Sequence, residues 1–489
     1  MPGAFPVEVL LARPRGPHGL CPGARAGARR TNAGGAAGGA KRIVPKLRRA
    51  SIACCILASL ATRAAGAQEA APAVAPAVAP AAAGTAAEGD GTLTGDWGGA
   101  REGLARSGVR LGLSYVGEGL GNVSGGLRRG SAYLGRLTFT LNADLERAAG
   151  WTGARFHASA LQIHGRGLTE PYLRNILTTS AIEGAPSTRL FTAWFEQDLF
   201  GGAVSVRAGK LAADEEFLAS DQASTFANAT FGWPAITAVN LPAGGPTYPL
   251  GAPGVRVRAE LAEGLSVAVG VFNGHPVGAA SADPQRRNRT GLRFPVGDDA
   301  FSIAEMAFAP EGGVFGRPAT FKLGGWHHSG RSEAFRSGGA ETGGAGSRRG
   351  NHGLYGIADG MLWRGGEPEG GGVGAFARIG VAPGDRSAIG LYVDGGLTYK
   401  GLIRSGDVIG LAFAHARVSD PLRRSDRSAR LGDGDGPLRR SESLVELTYV
   451  AQLAPWWTAQ PSVQFVLDPG ADTRNRNAAV VGLRTTLVF

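Results

Sequence analysis

Six arginines alternate into runs of otherwise strand-like residues: Arg136 in RLTFTLNADL, Arg207 in AVSVRAG, Arg256 and Arg258 in VRVRAELAEGLSVAVGV, Arg378 in VGAFARIGV and Arg484 in NAAVVGLRTTLVF. A guanidinium is a planar fork of fixed donors that keeps its charge at any ordinary pH. A row of them can orient polar solutes or lock carboxylates, and equally can solvate a wall. Glu260 and Asp144 fall on the same faces and are the carboxylates expected to pair with some of them. Between the second and third of these runs lies FGWPAITAVNLPAGGPTYPL, residues 231–250, whose four prolines disqualify it as a central strand. A long ordered loop in a compact barrel tends to be functional. Part of this one is expected to fold inward, with Phe231, Trp233 and Tyr248 either stacking on a solute or anchoring the loop.

Catalytic patterns are missing from the sequence. There is no His-Glu-x-x-His zinc helix and no Gly-x-Ser-x-Gly elbow. His327-His328 reads as polar surface, and Asp433-Gly434-Asp435 lacks the later glutamate that a calcium loop requires. Neither enzymatic activity, a metal nor a cofactor is expected.

The elements that must position the arginines share one period. Leu137, Phe139 and Leu141 oppose Arg136, Thr138, Thr140, Asn142 and Asp144. Val204, Val206 and Ala208 oppose Ser205 and Arg207. Val255 through Leu261, a turn at Glu263-Gly264 and Leu265 through Val271 read as one hairpin, with Arg256, Arg258 and Glu260 on its other face. Val373, Ala375, Ala377 and Ile379 oppose Phe376 and Arg378. Period two, not 3.6, governs these segments.

Composition narrows the setting. Of 489 residues 79 are Gly and 19% are charged, with neither a collagen repeat nor the polarity of disorder. The net charge of +11 would suit a nucleic-acid partner if it were spread along the chain. Residues 1–67, however, hold eleven Arg and Lys against Glu8 alone, so +10 sits there and +1 remains for 68–489. In that leading stretch KRIVPKLRR precedes SIACCILASLA and the small residues Ala65-Gly66-Ala67. This is the layout of a secretory signal, with cleavage expected after Ala67 and a start nearer Val44. Cys21, Cys54 and Cys55 all precede that point, so 68–489 has no disulfide or thiol chemistry. Residues 68–92, rich in Ala and Pro, are expected to be a flexible lead-in, and 93–489 to be the folded domain.

No run of eighteen apolar residues follows the leader. Amphipathic strands of this number could build soluble sandwiches or a closed barrel. The apolar faces are often only Ala, Val and Leu while the polar faces carry Arg, which suits a wall with lipid outside and water inside. Roughly sixteen strands leave about 26 residues for each strand and its connection, enough for a tilted span of about ten. The expected fold is therefore all-β: a transmembrane antiparallel β-barrel of about sixteen strands, of the outer-membrane porin type. The final strand should close on the first, with Arg484 facing inward and Phe489 at the membrane interface.

Several ordered stretches carry a family resemblance: LTGDWGGAREGLARSGVRLGLSY (93–115), FEQDLFGGAVSVRAGKL (195–211), FANATFGWPAITAVNLPAGGPTYPLGAPGVRVR (226–258), GLYGIADGMLWR (353–364) and the closing run from VELTYVAQLAPWW onward. Together they resemble the carbohydrate-selective porins of the OprB family. The front extension and the Ala/Pro tract lie outside that pattern, and 281–350 is hard to register against it. The first stretch reads as a turn and a short helix with Trp97, Ala100 and Leu104 on one side, near the periplasmic mouth.

The resemblance implies a Gram-negative outer-membrane channel for glucose-like sugars, narrowed by inward loops and charged side chains. The lining residues would come from Arg136, Arg207, Arg256, Arg258, Glu260, Arg378 and Arg484, with rings from Phe231, Trp233 and Tyr248. Expected partners are sugars, outer-membrane lipid, lipopolysaccharide near Arg423-Arg424 and Arg439-Arg440, and the barrel-assembly machinery through the strand ending at Phe489. Nucleic acid is not among them. The oligomeric state stays open between a single barrel and a homotrimer. The competing readings are an enzymatic barrel and an adhesive or structural one.

Overall fold

Side chains that alternate between apolar and polar can satisfy two solvents at once, and in the computed structural model that alternation builds a single closed wall. The structure describes residues 91–278, 283–335, 346–365, 371–433 and 436–489. Its first eight strands are β1 Val109–Ser124, β2 Gly130–Asp144, β3 Ala154–Gly165, β4 Ser187–Leu199, β5 Val204–Leu211, β6 Ala252–Ala262, β7 Leu265–Asn273 and β8 Ala300–Phe308. The others are β9 Ala319–Glu333, β10 Ser347–Arg364, β11 Gly372–Val381, β12 Ile389–Lys400, β13 Val408–Val418, β14 Ser441–Ala454, β15 Trp457–Leu467 and β16 Ala478–Val488. Each strand pairs antiparallel with its sequence neighbours, and β16 returns to β1, with Glu118 opposite Arg484 and Tyr115 opposite Leu487. Closure removes every edge, which a wall in lipid requires because an unpaired backbone group there finds no water.

The outer face is apolar. Leu323 and Leu354 are over 60% exposed, and Phe465, Ile379, Leu397 and Leu483 are over half exposed, as a lipid-facing band demands. Connections at one end are tight. The expected turn at Glu263-Gly264 joins β6 to β7, and Gly264 (φ +68) lies so near the Ala309 carbonyl that a Cβ would sit 2.1 Å from it. Aromatic side chains gather at this rim, where Trp456 stacks on Trp457 and Trp363 on Tyr399. The segment before β1 is here too, its Leu93 N–H donating to the Val488 carbonyl. Contrary to expectation, Trp97 precedes the helix Ala100–Arg106 instead of lying on it, and neither Trp97 nor Leu104 is buried. Trp97 instead lies under the Arg101 guanidinium, 4.3 Å from its centroid, and donates to Thr94.

Long connections occupy the other end, and the longest, residues 212–251, lies inside the barrel. Its contacts leave no other place for it, since it bonds to strands on nearly every side. Leu218 N–H donates to Glu305 of β8, and Ser220 and Gln222 donate to Asp359 of β10. Ala227 and Asn228 N–H donate to Glu446 of β14 at 2.7 and 3.0 Å, Asn228 reaches Gln464 of β15, and the Ala227 carbonyl accepts from Arg484 of β16. A second inward loop, 166–186, is held the same way: Ile176 and Leu177 N–H both donate to Glu442 at 2.7 Å. The two loops then bond to each other, Ala181 N–H to the Ala227 carbonyl and Ala229 N–H to the Thr178 carbonyl. Buried backbone groups must find partners, and here wall carboxylates supply them.

A bond to a charged acceptor contributes about 1.5–3 kcal/mol. Glu446→Ala, which removes two such bonds, should therefore destabilise the loop's docked state by about 3–5 kcal/mol. Its folded band on unboiled gels should be lost at lower temperature and its single-channel current should become noisier, while exposed Glu333→Ala should match the wild type in both.

Candidate functional site

The parity that sets the outer band also fixes which side chains point inward. Loop 212–251 packs its apolar side against the inner faces of β8 to β16, where Phe226, Phe231, Ile236, Phe376, Ile389 and Tyr392 form one buried cluster. The inner faces of β1 to β6 carry buried apolar residues too, among them Val116, Leu134, Leu161 and Ile163, but two clusters of charge form there.

The first is a cross-strand row. Glu196 of β4 stands opposite Arg207 of β5, which stands opposite Arg256 of β6. Arg207 and Arg256 bond Glu196 at 2.7 and 2.5 Å, and both also reach Glu216 from the inward loop at 2.5 Å. Arg155 adds a third cation, 2.9 Å from Glu196 and 2.7 Å from Asp198. The Arg207 guanidinium lies 3.7 Å from the centroid of the Trp194 ring, which stacks on His157, itself bonded to Asn142. Paired charges in this low-dielectric setting lock one another in place.

The second cluster spans the seam. Glu118 accepts from Arg484 at 3.2 Å and from Ser180 of the shorter inward loop. Arg136 is buried with its guanidinium 5.4 Å from the centroid of the Tyr248 ring, and the Tyr248 hydroxyl donates to the Ile182 carbonyl at 2.9 Å. Around these groups several buried polar atoms have no partner among the described residues: Arg136 Nε, Glu118 Oε1, Thr138 Oγ1, Thr140 Oγ1 and Trp194 Nε1. Native interiors leave few such atoms, so a concentration on one inner sector calls for a reason.

Acids on the inward loops are held away from ionisation. Burial, with Asp214 and Glu216 beside it and Arg207 opposing, pushes the Glu215 carboxyl up to about 8. Burial, with Glu118 and Glu170 nearby, pushes Glu183 up to about 7 against two bonds from Thr169. Burial likewise raises Tyr248 to about 12, so its hydroxyl keeps its proton.

The sequence-predicted residues separate into groups. Arg136, Arg207, Arg256, Arg484 and Tyr248 come together in these two clusters. Arg378 does not join them: it bonds Asp394 at 2.9 Å and the Leu218 and Thr230 carbonyls, tying the loop to the wall. Arg258 and Glu260 pair with each other at 3.1 Å, half exposed near the tight-turn rim. Asp144 pairs with no inner arginine, because it caps the helix Leu145–Ala149 and lies 3.4 Å from Arg147. Phe231 is 1% exposed among Phe226 and Phe376, and Trp233 is buried with its Nε1 donating to the Gly244 carbonyl. These two rings anchor the loop. His328 is buried against the Gly274 carbonyl while His327 is exposed, and Gly434-Asp435 lies outside the described residues. Sequence reasoning missed Glu118, Glu196, Trp194 and Glu216. Alternation in LFTAWFEQDLF could have found the two in β4, whereas Glu216 lies in a loop without period.

Comparison with known proteins agrees with this architecture. The family model described as carbohydrate-selective porin, OprB family, matches residues 128–489. Porin B of Pseudomonas aeruginosa is 26% identical over 427 residues, covering 81% of this chain and 91% of the relative. The high-pH structure of Pseudomonas putida OprB has a TM-score of 0.74 at 26% identity, covering 82% of this chain and 99% of that one. Its low-pH structure, at 20% identity and a TM-score of 0.52, shares the fold. The chain belongs to the carbohydrate-selective porin, OprB family.

Proposed function

We propose that this barrel sits in the outer membrane of a Gram-negative bacterium and lets glucose-like sugars and small oligosaccharides diffuse past the two charge clusters. Its long loops would face outward and its tight turns the periplasm. The strand ending at Phe489 would be read by the barrel-assembly machinery, and a single barrel and a homotrimer both remain compatible with the wall. One observation carries the reading. The inner arginines are matched by Glu118, Glu196 and Glu216, so the constriction is nearly neutral yet dense in fixed donors and acceptors. Such a lining suits an uncharged polyol better than an anion or a cation. The part-exposed side chains of Asn142, His157, Trp194 and Arg207 are the ones a hydroxyl could meet in transit. Passage requires contacts strong enough to replace hydration and weak enough to release. In this reading Tyr248, beside Arg136, is the ring that would line the path.

In planar bilayers, titrated glucose should reduce the single-channel current saturably. Arg136→Ala and Arg207→Ala should each weaken that effect about tenfold, the loss of one charge-assisted bond of about 1.4 kcal/mol or more. Arg258→Ala, near the rim, should not. A wild-type current indifferent to sugar would remove the reading.

Ion selectivity should follow pH. Glu183 and Glu215 are neutral below about 7 and 8 and anionic above. The potassium-to-chloride permeability ratio should therefore rise between pH 6 and 9, and Glu215→Gln should remove the upper part of that rise. Stability runs the other way. The unfolded carboxyl ionises near 4.5, so over the interval up to about 8 the folded state holds more protons. Stability from this group is complete below the lower value and is lost as pH climbs.

A further inference from the structure

The wall is not of even height. The last pair between β4 and β5 is Ala193 with Lys210, while β4 continues upward to Ser187. On the far side the last pair between β8 and β9 is Phe301 with His328, while β9 continues to Glu333. Between them β5, β7 and β8 have only 8, 9 and 9 residues. A tilted span needs about 9–11 residues, so β5 falls short of it and β7 and β8 only just reach it, and the wall is lowest at the long-loop end of this sector.

The segment that follows the short helix Pro284–Arg287 fills this dip from outside. Leu190 N–H, left without a β5 partner, donates to the Thr290 carbonyl at 3.0 Å. Gly291 (φ +71) presses so near Leu190 that a Cβ would sit 2.0 Å from its carbonyl oxygen. Lys210 leaves β5 on the same side as the outward Val206 and Ala208, and its ammonium donates to the Leu190 and Gly291 carbonyls beneath the segment. Past that point the chain reads LRFPVG, with Leu292, Phe294 and Val296 exposed at 65%, 48% and 78%. Arg287, Arg289 and Arg293 are exposed beside them, and none forms an ion pair among the described residues. The nearby acids are otherwise engaged: Asp283 caps the helix and lies 3.4 Å from Arg286, and Asp298 accepts from Asn273.

We propose that residues 287–296 form an external lipid clasp, in which Leu292, Phe294 and Val296 extend the apolar band over the low wall and Arg287, Arg289 and Arg293 hold the phosphates of a lipid A headgroup. Alternating apolar and cationic side chains at the top of the band match a phosphorylated glycolipid, whose acyl chains and phosphates meet at that depth. Guanidinium is the side chain best shaped for phosphate. A second copy of the chain would bury the apolar residues but would face three unpaired cations. The inference rests on the reading of the chain as an outer-membrane pore, so sugar permeability is measured on the same vesicles.

The test uses detergent-purified protein incubated with diphosphoryl lipid A or its dephosphorylated form and analysed by native mass spectrometry. The wild type should retain the phosphorylated lipid. Arg287→Ser/Arg289→Ser/Arg293→Ser should retain it at least about tenfold less, as loss of charge-assisted contacts requires. The dephosphorylated lipid should not discriminate between them. Independently, Leu292→Cys and Val296→Cys, each labelled with bimane in vesicles of phosphatidylcholine and lipid A, should be quenched by doxyl-labelled lipid. Equal retention by the triple variant, an unquenched label, or a disulfide-linked dimer through Leu292→Cys would overturn the clasp. Absent sugar permeability in otherwise lipid-binding protein would instead sink the pore reading alone.

Discussion

A chain segment placed inside a barrel has to find partners for its backbone, and in this protein the inner wall supplies them as carboxylates. Glu446 takes the amides of Ala227 and Asn228, Glu442 those of Ile176, Leu177 and Gly470, Asp359 that of Gln222 and Glu305 that of Leu218. Every one is a carboxyl acceptor meeting a neutral donor in a place of low dielectric, where such bonds are strongest and their loss most costly. Without them loops 212–251 and 166–186 would be an ensemble in a wide tube. With them the loops become a fixed wall, and the inner space has a shape.

That arrangement also sorts the charges. The inward carboxylates of β8 to β14 are engaged in holding the loop, and Arg378 works with Asp394 to the same end. The opposite sector is different in kind. There Arg207 and Arg256 share two glutamates in a four-membered knot, and Glu118 spans the β1–β16 seam to Arg484. The closing pair of strands is therefore tied to the inward loop as well, because Arg484 also bonds the loop carbonyl of Ala227.

Period two made the strands legible, and with them the closed barrel, the hairpin at Glu263-Gly264 and the inward side of each arginine. Alternation is a local property, and a wall is what local properties can specify. The partners of those arginines are not local. Glu446 meets Ala227 across 219 positions, and Glu216 reaches Arg207 from a loop with no period. Asp144 was legible as a face but not as a cap, because its strand ends at that residue and the helix it serves begins at the next. The prolines and aromatics of 231–250 announced an ordered loop. They could not announce that Phe231 and Trp233 would face the wall while Tyr248 turned toward Arg136.

The central claim is one of sidedness: the loop buries the inner face of β13, whereas Asn142 and His157 on β2 and β3 stay part-exposed. Residues 68–489 contain no cysteine, so single cysteines can test it directly. His157→Cys and Asn142→Cys lie on the open sector, whereas Ala412→Cys and Ala414→Cys, 2% and 0% exposed in β13, lie behind the loop. A charged methanethiosulfonate reagent added to a single open channel should block current through the first pair and leave the second pair untouched. Equal block at Ala412 and His157 would mean that the loop does not rest where this account requires it.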